Sequence, residues 1–112
     1  MSQLRYQFTE IGPDNTIFIM ASFEGPDPYS RAGGLGVRAS ELSEALAQAG
    51  FESHLFFVGA PDAPNHEVVG ENYHLWRVSQ KVSRRCPQGV YQAEDEKLAE
   101  FEETVPPLIL SE

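Results

Sequence analysis

Two apolar runs on either side of a helical stretch constrain the fold of this chain most strongly. The run "TIFIMAS" at Thr16–Ser22 contains β-branched and aromatic residues and has turn residues on both sides, which is typical of a strand buried on both faces. A second run, "SHLFFVG", occupies Ser53–Gly59. Between them, a helical pattern spans Gly36 to about Ala49. A strand, a helix and a strand in this order predict a βαβ unit, so the predicted fold class is α/β.

The predicted helix has apolar residues at the i, i+3, i+4 and i+7 spacing that marks one helix face. We expect this face to pack on the sheet, and its residues are Leu42, Ala45, Leu46 and Ala49. Ser43 falls on the opposite, polar face. Gly50 stands where a left-handed residue would end the helix.

A third run, "YHLWRVS" at Tyr73–Ser79, alternates more clearly and predicts a strand nearer the sheet edge. Trp76 in this run is expected to pack in the core or at the sheet edge. A long polar loop is predicted from Gln80 to Gln92. No internal repeat interrupts this pattern.

The last predicted element is an acidic helix from about Ala93 to Thr104. Its stretch "EDEKLAEFEE" contains a single lysine, and the acids are interpreted as a solvated face. Leu98 and Phe101 mark the apolar side of this helix. The prolines Pro106 and Pro107 are expected to end it.

Length and charge limit the classes of function. A chain of 112 residues fits one small domain, and we divide it into an amino-terminal arm, 1–15, and an incomplete domain, 16–112. A net charge of -9, from 8 basic and 17 acidic residues, disfavours nucleic acid and anionic membranes as partners. The longest apolar run, "IFIMA", is too short to span a bilayer, so we expect a cytoplasmic protein.

The histidines and the single cysteine do not predict a metal site. His54, His66, His74 and Cys86 are separated by 12, 8 and 12 positions, and these spacings match no zinc-finger or helical histidine pattern. No disulfide can form within a chain that has one cysteine. We therefore expect neither a metal nor a cofactor.

Three glycines lie at the start of the first helix, in "SRAGGLGVRASELSEALAQAG". In an α/β sheet, ligands bind beyond the carboxyl ends of the strands, and a helix N-terminus at that edge attracts phosphate. Glycine lets a phosphate approach the backbone closely. The spacing fits neither the dinucleotide fingerprint nor the P-loop. The alternative is that the glycines only permit a tight turn and close packing of the helix on the strand.

The residues around these glycines resemble a known family. Ser22–Gly59 is similar to the amino-terminal segment of bacterial glycosyltransferases of the GT-B fold, the group that includes glycogen and starch synthases. It has their first strand, G-G-L-G loop and helix ending in A-x-x-G-[HF]-E. A second segment, Pro87–Pro107, resembles the G-V-Y-x-x-E-x-x-K-L segment of one subgroup. Together they cover most of the chain from Thr16 onward.

The resemblance implies a partial Rossmann-like sheet, the first part of the acceptor-side domain of a retaining glycosyltransferase. Such an enzyme moves a hexosyl group from a nucleotide diphosphate sugar to a carbohydrate or other hydroxyl acceptor. The residues that the resemblance places near the donor phosphates are Arg31, Gly33, Gly34, Leu35 and Gly36. Arg31 stands where glycogen and starch synthases have a lysine, and its guanidinium can also pair with phosphate.

Acceptor-side candidates come from two loops. If the strands are parallel, the loops after the first and third strands leave the same sheet edge, where carboxylates and aromatic rings could hold hydroxyl groups. The candidates are Glu24, Asp27 and Tyr29 in the first loop, and Tyr91 and Glu94 beyond the third strand. The alternative is that these residues form turns and salt bridges that stabilise the loops.

The family enzymes are several times longer than this chain, and their donor domain has no counterpart in it. We therefore expect no sugar transfer by this chain alone. Expected partners are a nucleotide-sugar donor, a hydroxyl acceptor, and either a separately encoded remainder of the enzyme or a second copy that pairs through an exposed sheet edge. A non-catalytic module that binds phosphate or sugar, or a remnant of a split gene, remains as an alternative.

Overall fold

The computed structural model describes residues 11–30, 33–86 and 88–111, and within them the predicted α/β class is confirmed. One mixed sheet has the strand order β1-β2-β4-β3. Its strands are β1 (Ile17–Ala21), β2 (Glu52–Val58), β3 (His66–Val69) and β4 (Tyr73–Val78). The helices are α1 (Gly34–Gln48), α2 (Gln80–Arg85) and α3 (Glu94–Ser111). Most of the predicted arm, 1–10, lies outside the described residues.

Three strands run parallel, which confirms the βαβ prediction. β1 pairs with β2 from Ile17 opposite Glu52 to Ala21 opposite Phe56, and β2 pairs with β4 in the same direction. The carboxyl ends of these strands therefore lie at one edge of the sheet. The short strand β3 was not predicted, because it begins at the last residue of the breaker-rich "APDAPNH" segment. It pairs antiparallel with β4.

The sheet has a packed core on each face. On one face, α1 covers Leu55, Phe57, Tyr73 and Leu75 with Ala39 and Ala47. On the other, α3 brings Val105 against Phe56, Trp76 and Val78, so Trp76 packs in the core as predicted. Strand β2 is buried on both faces, as its continuous apolar run indicated. Strand β1 is not: it is one of the two outer strands of the described sheet, and Ile17 and Ile19 are 48% and 38% exposed.

The predicted packing face of α1 is wrong. The face that packs consists of Gly36, Ala39, Ser43 and Ala47, whereas Leu42 is 53% exposed. The reason lies in Ser43, whose hydroxyl is 2.7 Å from the hydroxyl of Tyr73 and whose carbonyl accepts the Ser53 hydroxyl. Small side chains let the helix approach the sheet closely enough for these bonds. Gly50 has a φ of 101° just after the helix, as predicted for its end.

Two predictions for the segment after β4 also need correction. Part of the predicted loop at 80–92 forms the short helix α2. The helix α3 does not stop at the prolines but continues through Pro106 and Pro107 to Ser111. Both prolines are exposed, as are Glu102 and Glu103, whose carbonyls lose an N–H partner and can bind water instead. Packing of Leu108 and Ile109 on the second core favours the continuation. None of the described helices is long and apolar enough to cross a membrane.

Candidate functional site at the carboxyl edge of the sheet

The loop after β1 and the segment after α2 meet at the carboxyl edge. The Tyr29 hydroxyl donates to the carbonyl of Cys86 at 2.7 Å, and the Tyr91 hydroxyl donates to the carboxylate of Glu24 at 2.5 Å. The ring of Tyr91 also stacks on Phe23, with 5.3 Å between ring centroids. The predicted meeting of the two loops at one edge is therefore confirmed. It brings together three of the five acceptor-side candidates: Glu24, Tyr29 and Tyr91.

Glu24 lies at the N-terminus of α1, where the sequence predicted a phosphate. One of its carboxylate oxygens accepts the N–H groups of Gly33 at 3.2 Å and Gly36 at 3.1 Å. Gly33 has no side chain with which to cap the helix, and Glu24 supplies the missing acceptor from the preceding loop. Its negative charge also complements the helix dipole. Two of the N–H groups assigned to phosphate thus have a protein partner, and Glu24 is only 5% exposed.

The structure gives a different account of each of the three glycines at this helix end. A Cβ atom on Gly36 would lie 2.7 Å from the carbonyl oxygen of Gly25, so close packing requires a glycine there. Gly33 has an extended backbone with a φ of -159°, which other residues also adopt. A Cβ atom on Gly34 would meet no heavy atom of the described residues within 4 Å, apart from its chain neighbours and the backbone of its own helix. Packing within the described residues thus explains Gly36, whereas Gly34 and Leu35 lie exposed on the first turn. Arg31 lies outside the described residues.

A buried lysine on α3 connects the loop after β1 with the segment that precedes α3. Lys97 on α3 is 0% exposed, and its ammonium donates to the Tyr29 hydroxyl at 2.8 Å and to the carbonyls of Gly89 and Val90 at 2.8 and 3.0 Å. Three acceptors match the three donors of an ammonium group. Sequence reasoning missed this residue because it treated the acidic run as a solvated face. The ammonium of Lys97 thus links the Tyr29 hydroxyl to the backbone of Gly89 and Val90.

The apolar side of α3 differs from the prediction in the same place. Leu98 is 44% exposed, whereas Lys97 faces inward. The signal was present in the sequence: Lys97, Phe101 and Val105 are four residues apart, and side chains with that spacing share a helix face. A lysine in line with two core residues therefore indicated a buried amine.

Asp27 does not join the hydrogen bonds of Glu24, Tyr29, Tyr91 and Lys97 described above, but forms an ion pair with Arg77. Its two carboxylate oxygens accept from Nε and Nη2 of Arg77 at 2.8 and 3.0 Å, and one also accepts the N–H of Ala60. Burial would lower the pKa of Arg77, but hydrogen bonds to Asp27 and Glu67 outweigh it and raise that pKa. Asp27 thereby fastens the loop after β1 to β4. Glu94, the last acceptor-side candidate, is exposed at the start of α3.

The Tyr91–Glu24 hydrogen bond predicts an unusual tyrosine titration. This bond, with smaller effects of burial and of the Glu24 and Glu94 charges, raises the pKa of Tyr91 to about 12 from an ordinary value of 10.0. Because the folded pKa is raised, the contribution to stability is complete below pH 10 and is lost as the pH rises towards 12. Burial also raises the pKa of Tyr73, so we expect tyrosinate absorbance to show a late transition whose amplitude falls by one tyrosine in Tyr91→Phe.

Glu24→Gln provides the second comparison, since it removes the carboxylate but leaves the tyrosine in place. The late transition should then move down towards the ordinary tyrosine value of 10.0. Identical titration curves for the wild type and Glu24→Gln would contradict the hydrogen bond.

Glu24 and Tyr29 belong to the first of the two segments compared above, Ser22–Gly59, and Tyr91 belongs to the second, Pro87–Pro107. Comparison of the chain with protein-family models, with curated proteins and with solved structures finds no match.

Proposed function

We propose that this chain forms the Rossmann-like, acceptor-side part of a retaining glycosyltransferase that uses a nucleotide diphosphate sugar. The observation that carries the proposal is the first turn of α1, which is exposed at Gly34 and Leu35 beyond the carboxyl end of β1. Neither backbone conformation nor packing in the described residues requires a glycine at position 34. A ligand that must approach the backbone there supplies a reason for it.

The proposed position of the donor diphosphate follows from the Glu24 contacts. The N–H groups of Gly33 and Gly36 are bonded to Glu24, and its carboxylate repels a phosphate that approaches on that side. The diphosphate is therefore placed against Gly34 and Leu35. Glu24 fixes the turn, so that the N–H groups of these two residues are held in position before the donor arrives.

A groove beside this turn adds support. It has a volume of about 360 Å³ and is lined by Ser22, Phe23, Leu35, Arg38 and other residues of β1 and α1. This volume lies within the usual range for small-ligand sites, about 300–1,000 Å³. Exposed Leu42, which the packing of α1 leaves outside the core, also lines it. The proposal assigns this groove to the part of the donor that continues from the diphosphate.

The acceptor is assigned to the neighbouring surface formed by Tyr91 and the exposed side of Glu94. Tyr91 is 43% exposed, and its ring offers the flat face on which sugars commonly stack. The proposal also needs a partner, because a transferase of this kind requires a donor domain. Among the described residues, β1 has a strand neighbour on one side only, and the proposed partner, a separately encoded remainder of the enzyme, covers its other side.

A non-catalytic module that binds phosphate or sugar is the second candidate. The observation in its favour is that Glu24, Tyr29, Tyr91 and Lys97 hydrogen-bond with one another or with nearby backbone, which holds the edge together within this one chain. The two candidates share the ligand site. They differ in whether a donor domain, added as a separate protein, produces sugar transfer.

The test is isothermal titration of the purified chain with UDP-glucose, ADP-glucose and UDP. We expect saturable binding of at least one of them, weakened at least about tenfold by Gly34→Val, which corresponds to about 1.4 kcal/mol. Gly34 is suited to this test because an added Cβ atom would lie more than 4 Å from the heavy atoms of the described residues outside its own turn. The matched control is Ala45→Val, which adds a similar side chain to an exposed position farther along α1.

Circular dichroism shows whether each variant is folded. A folded wild-type chain that binds none of the three compounds, or a Gly34→Val variant that binds as well as Ala45→Val, would contradict the proposed donor site.

A further inference from the structure

We propose that this chain binds a divalent transition-metal ion of the Zn²⁺ type through Glu52, His54 and His74. These residues lie at the amino ends of β2 and β4, the opposite end of the sheet from the carboxyl-edge site. Each offers one ligand atom, and the three atoms lie within 4.8 Å of one another. The proposal is independent of the glycosyltransferase proposal.

The sheet geometry explains why these three side chains converge. Side chains of a strand alternate between its faces, so Glu52 and His54, two residues apart, share one face. His54 is opposite His74 in the parallel register of β2 and β4. The two imidazole rings stack with their centroids 4.3 Å apart and an angle of 15° between their planes. Because nitrogen lone pairs lie in the ring plane, the ring of His74, which is less buried than that of His54, must tilt for both lone pairs to meet at one ion. The histidine spacing in the sequence argued against a metal site, because it cannot reveal which strands become neighbours.

The ligand chemistry suits Zn²⁺. Two imidazoles and one carboxylate are borderline and hard donors that Zn²⁺ binds at about 2.0–2.2 Å, which places neighbouring ligand atoms roughly 3.4 Å apart in a tetrahedral site. The Glu52 side chain is 49% exposed and lies 2.6 Å from Nε2 of His54, so it is free to move outward by the small distance that the ion needs. His54 itself is 1% exposed and provides a fixed ligand.

Hydrogen bonds from neighbouring side chains orient both imidazoles. Nδ1 of His74 lies 2.9 Å from Nε2 of His66, a contact of the kind that fixes the orientation and tautomer of a metal-binding histidine. Nδ1 of His54 accepts the indole N–H of Trp76 at 3.0 Å. Because an indole N–H only donates, Nε2 of His54 carries the ring proton and donates it to Glu52.

This arrangement makes Trp76 a competitor of the metal. When the ion binds Nε2 of His54, the ring proton moves to Nδ1, and the imidazole stays neutral. The proton then faces the indole N–H, and this hydrogen bond must break. Trp76→Phe removes the competing donor while keeping an aromatic ring next to Phe56 and His66. We therefore expect Trp76→Phe to bind the ion more tightly than the wild type.

The experiment is isothermal titration of the full chain with ZnCl₂, with MgCl₂ as the hard-cation comparison. We expect one saturable Zn²⁺ site and no Mg²⁺ binding. His74→Gln and Glu52→Gln should each weaken Zn²⁺ binding by at least about tenfold. Glu41→Gln is the matched control for Glu52→Gln, since it removes one exposed carboxylate on α1, which covers the other face of the sheet, and should leave the affinity unchanged. Fluorescence of Trp76, the only tryptophan of the chain, should change as Zn²⁺ saturates the wild type.

Glu52→Gln keeps the test valid if His74→Gln does not fold, because the Glu52 side chain is half exposed. The proposal is overturned if the wild type shows no saturable Zn²⁺ binding, or if Glu52→Gln binds as tightly as Glu41→Gln. Tighter binding by Trp76→Phe would support the competition with the indole, and weaker binding would overturn that part of the proposal.

Discussion

Replacing Lys97 by alanine should lower the free energy of unfolding by about 3 kcal/mol. The ammonium of this fully buried residue donates to Tyr29 and to the carbonyls of Gly89 and Val90. Without it, the buried carbonyl of Val90 loses its donor, at a cost of about 1–3 kcal/mol. The carbonyl of Gly89 keeps only the N–H of Gln92, and the lost methylene groups leave a cavity. Relief from burying a charge offsets part of this cost.

Urea denaturation of the wild type and the variant measures the change. Lys81→Ala is the matched control, because Lys81 is an exposed lysine on α2, and a substitution of this kind usually changes stability by no more than about 0.5 kcal/mol. If Lys97→Ala were as stable as Lys81→Ala, the buried position of Lys97 would be wrong. A stable Lys97→Ala would also show that the hydrogen bonds of Lys97 are not what holds Tyr29 beside the Gly89–Val90 backbone.

The elements that could be predicted from the sequence are those long enough to show a period. The runs that became β1, β2 and β4 and the pattern of α1 each extend over several residues of one hydrophobic periodicity. The strand β3 has four residues and α2 has six, which is too short for either period to stand out from the surrounding polar segments. Their formation depends on neighbours: β3 exists because β4 offers it an edge.

The face of α1 shows how tertiary contacts override hydropathy. Leucine at 42 and serine at 43 suggest that the leucine is buried, yet Ser43 is fully buried and Leu42 is half exposed. The hydroxyl of Ser43 forms a hydrogen bond with the hydroxyl of Tyr73, thirty residues away, and its carbonyl accepts the hydroxyl of Ser53, ten residues away. A hydrogen bond that forms only after the sheet assembles leaves no local pattern. The same holds for Asp27 and Arg77, which are fifty residues apart.

The candidate site was predictable at the level of the sheet edge but not at the level of atoms. Parallel strands were enough to place Glu24 and Tyr91 at one edge. That Glu24 would cap α1, and so take N–H groups assigned to a phosphate, depends on how the loop folds back over Gly36. The histidine group at the opposite edge depends on the register of β2 and β4. The residue types indicated which hydrogen-bonding and metal-binding groups the chain has. The loop conformation and the strand register determined which of these groups lie next to one another.

The second large effect is expected from Asp27→Asn, which should lower the free energy of unfolding by about 3 kcal/mol. Asparagine keeps the shape but replaces one carboxylate oxygen with an N–H donor that faces the guanidinium of Arg77 or the N–H of Ala60. The charge of Arg77, which is 5% exposed, then has lost its buried partner. Glu67 and the carbonyl of Pro64 still accept from it, and this limits the loss.

Glu67→Gln is the matched control, because Glu67 pairs with the same guanidinium at 2.9 Å but has a side chain that is 42% exposed. An exposed partner usually contributes no more than about 1 kcal/mol, so urea denaturation should separate the two variants clearly. Equal losses would mean that Asp27 does not fasten the loop to β4. Its carboxylate would then be available for a hydroxyl acceptor, and Asp27 would return to the acceptor-side candidates beside Tyr91.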